Sequence, residues 1–380
     1  VKNARRAPAG PPPRAFSPRP IRLGPNLYVA HTQPGFESVA WNEIAARVPN
    51  ARWIAARTVG DRAGMTIFAA PRPEPLARLR AAEDLFALVG YRQCDGSDAL
   101  ETVLASARGA PFLDEGLAAR TRLVAGSRSG RRLGFRVVAR LTGEHDFRRV
   151  DFQRAVERGV IERGDHNFRL ADDDSADVEL WATLLGREFL LALRLTDERT
   201  RHREYKVAHR PASLRPSVAA ALALVSEPRD DDVVLDPFCG AGTVLIERAH
   251  LGRYRNLIGS DRDADAIEAA RANVGTRYKP IELHSWDAAA LPLGDATVSK
   301  VVTNLPWGVR SGTPGENRKR YGRWLEEMYR VLAPNGKMVL LTAETRLMHE
   351  LRVRRAIAPE RVLHVTVLGR PAAVYVCPKK

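Results

Sequence analysis

The sequence predicts an α/β protein in two halves: a mostly parallel, doubly wound C-terminal sheet preceded by a smaller α+β module. Three observations carry this. From Pro216 onward, short apolar runs alternate with segments of helical spacing through short loops, as in βα units. Before Thr196 the elements are short and mixed, with turns such as that at Gly186 between apolar runs. Between them Thr196–Arg215 is polar and basic, with Pro211 inside it and Pro216 just after, as in a linker.

The elements follow in order. Leu27–Thr32 reads as a strand, Phe36–Val48 as a helix, Met65–Ala69 as a strand and Leu76–Leu88 as a helix, with a short strand after it ending just before Cys94. Glu101–Ala107 is helical. Leu133–Leu141 is a strand with Phe135, Val137 and Ala139 on one face, and Phe152–Arg163 is an amphipathic helix. Strands follow at Phe168–Leu170, Asp177–Thr183 and Glu188–Leu195. Pro216 suits the first turn of a helix reaching Ser226. Strand–helix alternation then runs to Arg352, and a closing hairpin, Arg361–Leu368 with Ala372–Cys377, is expected to add an antiparallel edge. The expected divisions are residues 1–24, a disordered basic arm rich in Pro and Arg; 25–95, a ferredoxin-like α+β region; 96–197; a linker, 198–215; and the C-terminal domain, 216–380.

Composition narrows the function classes. The chain has 380 residues and a net charge of +15, much of it Arg spread along the chain. An anionic partner would explain that excess, with nucleic acid ahead of a membrane surface. Three distant cysteines, Cys94, Cys239 and Cys377, form neither a disulfide framework nor a zinc pattern, which fits a reducing cytoplasm. The nine histidines show no metal-ligand spacing, so no metal is expected. No apolar run reaches the ~18 residues of a membrane span, and the N-terminal stretch shows no apolar signal core.

The strongest local signal is Val233–Glu247, VVLDPFCGAGTVLIE. A buried strand ends at Asp236, enters a turn with Gly240 and Gly242, and opens a helix at the strand end where ligands gather in doubly wound sheets. It is neither the dinucleotide fingerprint nor a Walker loop. Asp261 follows the next strand and suits ribose hydroxyls. Asp287, after the third, could accept from an adenine amino group. The fourth strand ends in Asn304-Leu305-Pro306-Trp307. An exocyclic amine is a weak nucleophile because its lone pair is delocalised into the ring. The Asn304 side-chain oxygen and the Leu305 carbonyl can each accept one of its N–H groups and favour a tetrahedral nitrogen. Trp307 can stack on the base. Cys239 has no base near it in sequence and reads as packing.

On these motifs residues 216–377 resemble class I Rossmann-fold methyltransferases with the Asn-Pro-Pro-Tyr-type motif of amino methyltransferases. The chain from about residue 27 resembles the THUMP-domain RNA guanine-N2 methyltransferases. HREYKVAHRPASLRPSVAAALA, FRVVARLTGEHDFRRVDFQRAVERGV and VLGRPAAVYV add to that resemblance. It implies a seven-stranded sheet with an antiparallel last strand and S-adenosylmethionine as cofactor. Asp236, Phe238, Gly240, Gly242 and Thr243 would hold the cofactor, Asp261 its ribose and Asp287 its adenine, with Ser217 near its methionine end. Asn304, beside the cofactor, would form the catalytic pocket with Leu305, Pro306 and Trp307. Residues 96–197 would be a THUMP domain holding the 3′ end of tRNA. The commoner motif has Pro at the place of Leu305, and Tyr or Phe at that of Trp307. Asn at 304 points to N2-methylguanosine at position six of the acceptor stem. An rRNA guanine-N2 methyltransferase and a non-catalytic RNA-binding factor retaining the fold are the alternatives. The expected protein is monomeric and cytoplasmic, with RNA as partner and no membrane or metal.

Overall fold

The fold is described from a computed structural model, over residues 20–380 except 95–97, 128–131, 166, 174, 198–199, 201, 212, 308–313 and 355–356. The basic arm expected over 1–24 falls, up to residue 19, outside the described residues. Internal contacts divide the chain in two: residues through Thr32 with Ala40–Arg201, and Gln33–Val39 with His202–Lys380.

The first unit is built on one eight-stranded sheet. Its strands are β1 (Leu27–Thr32), β2 (Arg52–Val59), β3 (Ala63–Ala69), β4 (Asp84–Gln93), β5 (Arg132–Thr142), β6 (Asn167–Leu170), β7 (Val178–Leu185) and β8 (Glu188–Arg194), in the order β2-β3-β1-β4-β8-β7-β5-β6. Helices α1 (Glu37–Arg47), α2 (Ala99–Arg108), α3 (Leu113–Leu123) and α4 (Arg149–Ile161) accompany it. The first four strands have the ferredoxin-like order. The two regions divided at residue 95 are continuous, because β4 pairs antiparallel with β8 and side chains from both fill one core.

The helix expected over Leu76–Leu88 is absent. Glu74–Arg78 forms a single 3₁₀ turn, and β4 follows. Leu85, Phe86, Leu88 and Val89 are all buried. A strand covered on both faces shows an unbroken apolar run, and periodicity cannot separate such a run from a buried helix. Strand β2 and helix α3 were not expected. Arg52, Arg57 and Thr58 interrupt the apolar pattern of the former.

The second unit carries α5 (Pro216–Val225), β9 (Val233–Asp236), α6 (Thr243–Ala249), β10 (Asn256–Ser260), α7 (Ala264–Val274), β11 (Ile281–His284), β12 (Val298–Asn304), α8 (Pro314–Val331), β13 (Leu332–Thr342), α9 (Thr345–Arg354), β14 (Arg361–Val367) and β15 (Arg370–Pro378). The sheet order is β11-β10-β9-β12-β13-β15-β14. β15 runs opposite to the other strands of this sheet and lies between β13 and β14. The closing hairpin thus forms the expected antiparallel edge, with the last strand β15 reversed and β14 outermost. Residues 33–39 lie against that edge, where Thr366 N–H donates to the Pro34 carbonyl at 2.9 Å. A Cβ on Gly35, whose φ is +94°, would stand 2.2 Å from the His364 carbonyl oxygen.

The expected linker is largely part of this unit. Tyr205 Oη donates to Glu247 Oε1 at 2.7 Å, and Ala208 exchanges hydrogen bonds with the Asn273 amide at 2.8 and 3.1 Å. Arg210 pairs with Asp263. Below β9, Arg248 and Asp232 form a buried ion pair at 3.1 Å. Arg248 also donates to the carbonyls of Arg229, Gly252 and Arg253.

Candidate active site

Strand order reverses between β9 and β12, the point at which doubly wound sheets bind ligands. A cavity of about 620 Å³ opens there. That is ample for a nucleoside-sized ligand together with a base. Its wall includes Phe238 and Gly240 from the β9 turn, Asp261 after β10, Asp287 after β11, and Asn304 to Trp307 after β12. Four loops distant in sequence thus converge on one space.

Each loop is braced. Gly240 has φ +52°, and among the described residues no atom beyond its two chain neighbours lies within 4 Å of the position a Cβ would take. Its N–H donates to Asp261 Oδ2 at 3.1 Å, while Asp261 Oδ1 accepts from Asp263 N–H, also at 3.1 Å. The half-buried Asp261 carboxylate is thereby aimed by backbone donors, and each oxygen keeps a second lone pair for a hydroxyl. Asp287 Oδ1 accepts from Ala289 N–H at 2.9 Å. Phe238 packs edge-on against Trp324, with ring centroids 4.8 Å apart.

Asp236, Gly242, Thr243 and Ser217 are buried residues that do not form the cavity wall. Asp236 Oδ1 accepts from Thr303 Oγ1 at 2.6 Å and Phe238 N–H at 3.2 Å, tying β9 to β12 beneath the turn. Burial pushes its pKa from 3.8 up to about 7, against those two hydrogen bonds, and the nearby Asp261 charge adds to the rise. Gly242, at φ +78°, caps α6 and lets that helix approach α7: a Cβ there would meet the Ala270 Cβ at 3.3 Å. Burial raises the Cys239 thiol well above its usual pKa, opposite to what a nucleophile needs.

The motif after β12 is rigid. Leu305 N–H donates to the Leu341 carbonyl at 2.9 Å. The fully buried Tyr321 hydroxyl donates to the Pro306 carbonyl at 2.6 Å and contacts Thr342 Oγ1 at 2.8 Å. Trp307 Nε1–H donates to Asn304 Oδ1 at 3.0 Å. Sequence reasoning missed Tyr321 and Thr303, which brace the site. It also missed Arg210, Ser213 and Leu214 of the supposed linker, and Arg320, Leu368 and Arg370, all on the wall. Leu368 sits at φ +52° before Gly369 at +74°, a hairpin turn where Asn-Gly is the usual signal. Arg370 lies 5.8 Å from the Trp307 ring centroid. Among the described residues no cluster of His, Cys, Asp or Glu could hold a metal, and no helix is long and apolar enough to cross a membrane.

Sheet order, switch-point cavity and braced strand-end loops define a Rossmann-fold methyltransferase unit. The UPF0020 family model, an RMKL-like methyltransferase domain, matches residues 203–369. A tRNA (guanine(6)-N2)-methyltransferase of Thermus thermophilus is 31% identical over 244 residues, 63% of this chain and 70% of the relative. The mouse tRNA (guanine(6)-N(2))-methyltransferase THUMP3 is 31% identical over 224 residues, 54% of this chain and 44% of that protein. The chain thus spans less than half the length of the mouse and human relatives it matches. The crystal structure of TrmN from Thermus thermophilus superposes with a TM-score of 0.75 at 26% identity, covering 93% of this chain and 99% of that one. The chain belongs to the family of these tRNA guanine-N2 methyltransferases. The matched segment opens at residue 203, within the stretch that docks onto this unit.

Proposed function

We propose that the protein is an S-adenosylmethionine-dependent tRNA (guanine-N2)-methyltransferase forming N2-methylguanosine at position six of the acceptor stem. The observation that carries this reading is the meeting of Asn304-Leu305-Pro306-Trp307 with Gly240, Asp261 and Asp287 around one cavity. The residues fit the cofactor: a turn without a Cβ at 240, an aimed carboxylate at 261 and, at 287, a second carboxylate oxygen with no partner among the described residues. When bound, S-adenosylmethionine supplies an electrophilic methyl group. Asp261 would accept from its ribose and Asp287 from its adenine amine. Asn304 and the Leu305 carbonyl would hold the guanine amine with its lone pair toward that methyl, and Trp307 would support the base.

The first unit serves as the RNA grip, residues 96–197 acting as a THUMP domain on the tRNA 3′ end. The enzyme works as a cytoplasmic monomer. The +15 charge and the position-six specificity in its relatives' names support the assignment. The test is methyl transfer from labelled S-adenosylmethionine to total tRNA and to rRNA, with nucleoside mass spectrometry and mapping of the modified position. N2-methylguanosine at position six of tRNA is expected. Methylation of rRNA alone, or no transfer to any RNA, would overturn the proposal.

A further inference from the structure

The Asn304–Trp307 contact carries an inference about how the amine acceptor is set. A side-chain amide presents an oxygen on one side and an NH₂ on the other, and the two ends have nearly the same shape. For an acceptor facing an amine the difference is decisive, since an amide turned the wrong way offers N–H to N–H. The indole Nε1 of Trp307 is a donor only. Standing 3.0 Å from the Asn304 amide, it can be satisfied only by the oxygen. The second lone pair of Oδ1 remains for another donor.

We propose that Trp307 is a positioning residue whose indole N–H locks the Asn304 amide with Oδ1 toward the substrate side of the cavity. The ring that supports the base thereby also selects the acceptor's orientation. Phe in its place would keep an aromatic face but provide no donor. Neighbouring atoms hold the lock from two sides. The Tyr321 hydroxyl fixes the Pro306 carbonyl, one residue before the indole. The Arg370 guanidinium lies over the indole ring. The inference rests on the reading of this site as an amine methyltransferase.

The test is a comparison of Trp307→Phe with the unaltered chain in single-turnover methylation at saturating enzyme and cofactor. The rate should fall about tenfold, the population ratio that one net hydrogen bond maintains. RNA affinity should stay within about twofold because the aromatic face is kept. An unchanged rate would overturn the proposal, because a stacking platform alone survives the change to Phe. Asn304→Asp presents oxygen at both ends and has no orientation to set. On that background Trp307→Phe should cost less than about twofold, and an equal loss on both backgrounds would also overturn it. The hydrogen bond has a readout apart from activity. With ¹⁵N-labelled tryptophan, Asn304→Ala should move the Trp307 indole resonance upfield and speed its hydrogen exchange, and an unmoved resonance would refute the contact. Failure of the unaltered chain to methylate any guanine amine would instead refute the functional reading, leaving the indole measurement to judge the contact.

Discussion

Asp236→Asn should abolish a pH dependence of stability that burial has built into the methyltransferase unit. Asp236 is 1% exposed, and its pKa stands at about 7 against 3.8 for the free side chain. The folded chain therefore holds this proton more tightly than the unfolded chain. With respect to this group stability is greatest below about pH 4 and is lost as pH rises from there to about 7. The displacement corresponds to on the order of 4 kcal/mol, an upper bound because the denatured state is treated as fully solvated. Asn keeps the oxygen that accepts from Thr303 and Phe238 and carries no charge. Denaturant unfolding of both chains, followed by tryptophan fluorescence between about pH 5 and 8, checks this. The Asn variant should gain on the parent as pH rises, with most of the gain complete by about pH 8. A stability difference independent of pH would refute the reasoning. Asp236→Ala should behave differently: it strands the Thr303 hydroxyl and the Phe238 N–H and destabilises at every pH.

Asn304→Ala should lower single-turnover methylation by about 10² or more, with calorimetric affinity for S-adenosylmethionine nearly unchanged, since it removes one preorganised acceptor for the amine. Asp261→Ala should weaken that affinity strongly and leave RNA binding intact, as measured by calorimetry and filter binding. Asp232→Ala should cost about 3–5 kcal/mol in denaturant unfolding, because Arg248 is left as a buried charge without its carboxylate. Binding of tRNA should fall steeply with salt in a titration, as phosphate contacts release counterions.

The doubly wound sheet and the ligand end of it were legible from local pattern alone. Alternation of apolar runs with helical spacing fixes βα units, and Asp236, Gly240, Asp261 and Asn304 mark the ends of β9, β10 and β12 in VVLDPFCGAGT, LIGSD and VVTNLPW. Each of these signals is contained within a few residues. Tertiary structure alone decided what depends on partners far along the chain. Pairing of β4 with β8 joins Phe86 to Arg194, so two apparent regions became one sheet. The run that reads as a helix over 76–88 became a strand from Asp84 onward because both of its faces found cover. Tyr205 meets Glu247 and turns a linker into cavity wall. A carboxyl at a strand end reads as a ligand in sequence, yet the displacement of the Asp236 pKa arises from burial beneath the turn. The hydrogen bond from Trp307 to Asn304 spans only three residues, but its direction follows from a backbone that Leu341 and Tyr321 hold in place. Periodicity and turn chemistry are local properties, whereas burial, charge displacement and the facing of side chains are set by which surfaces the fold brings together.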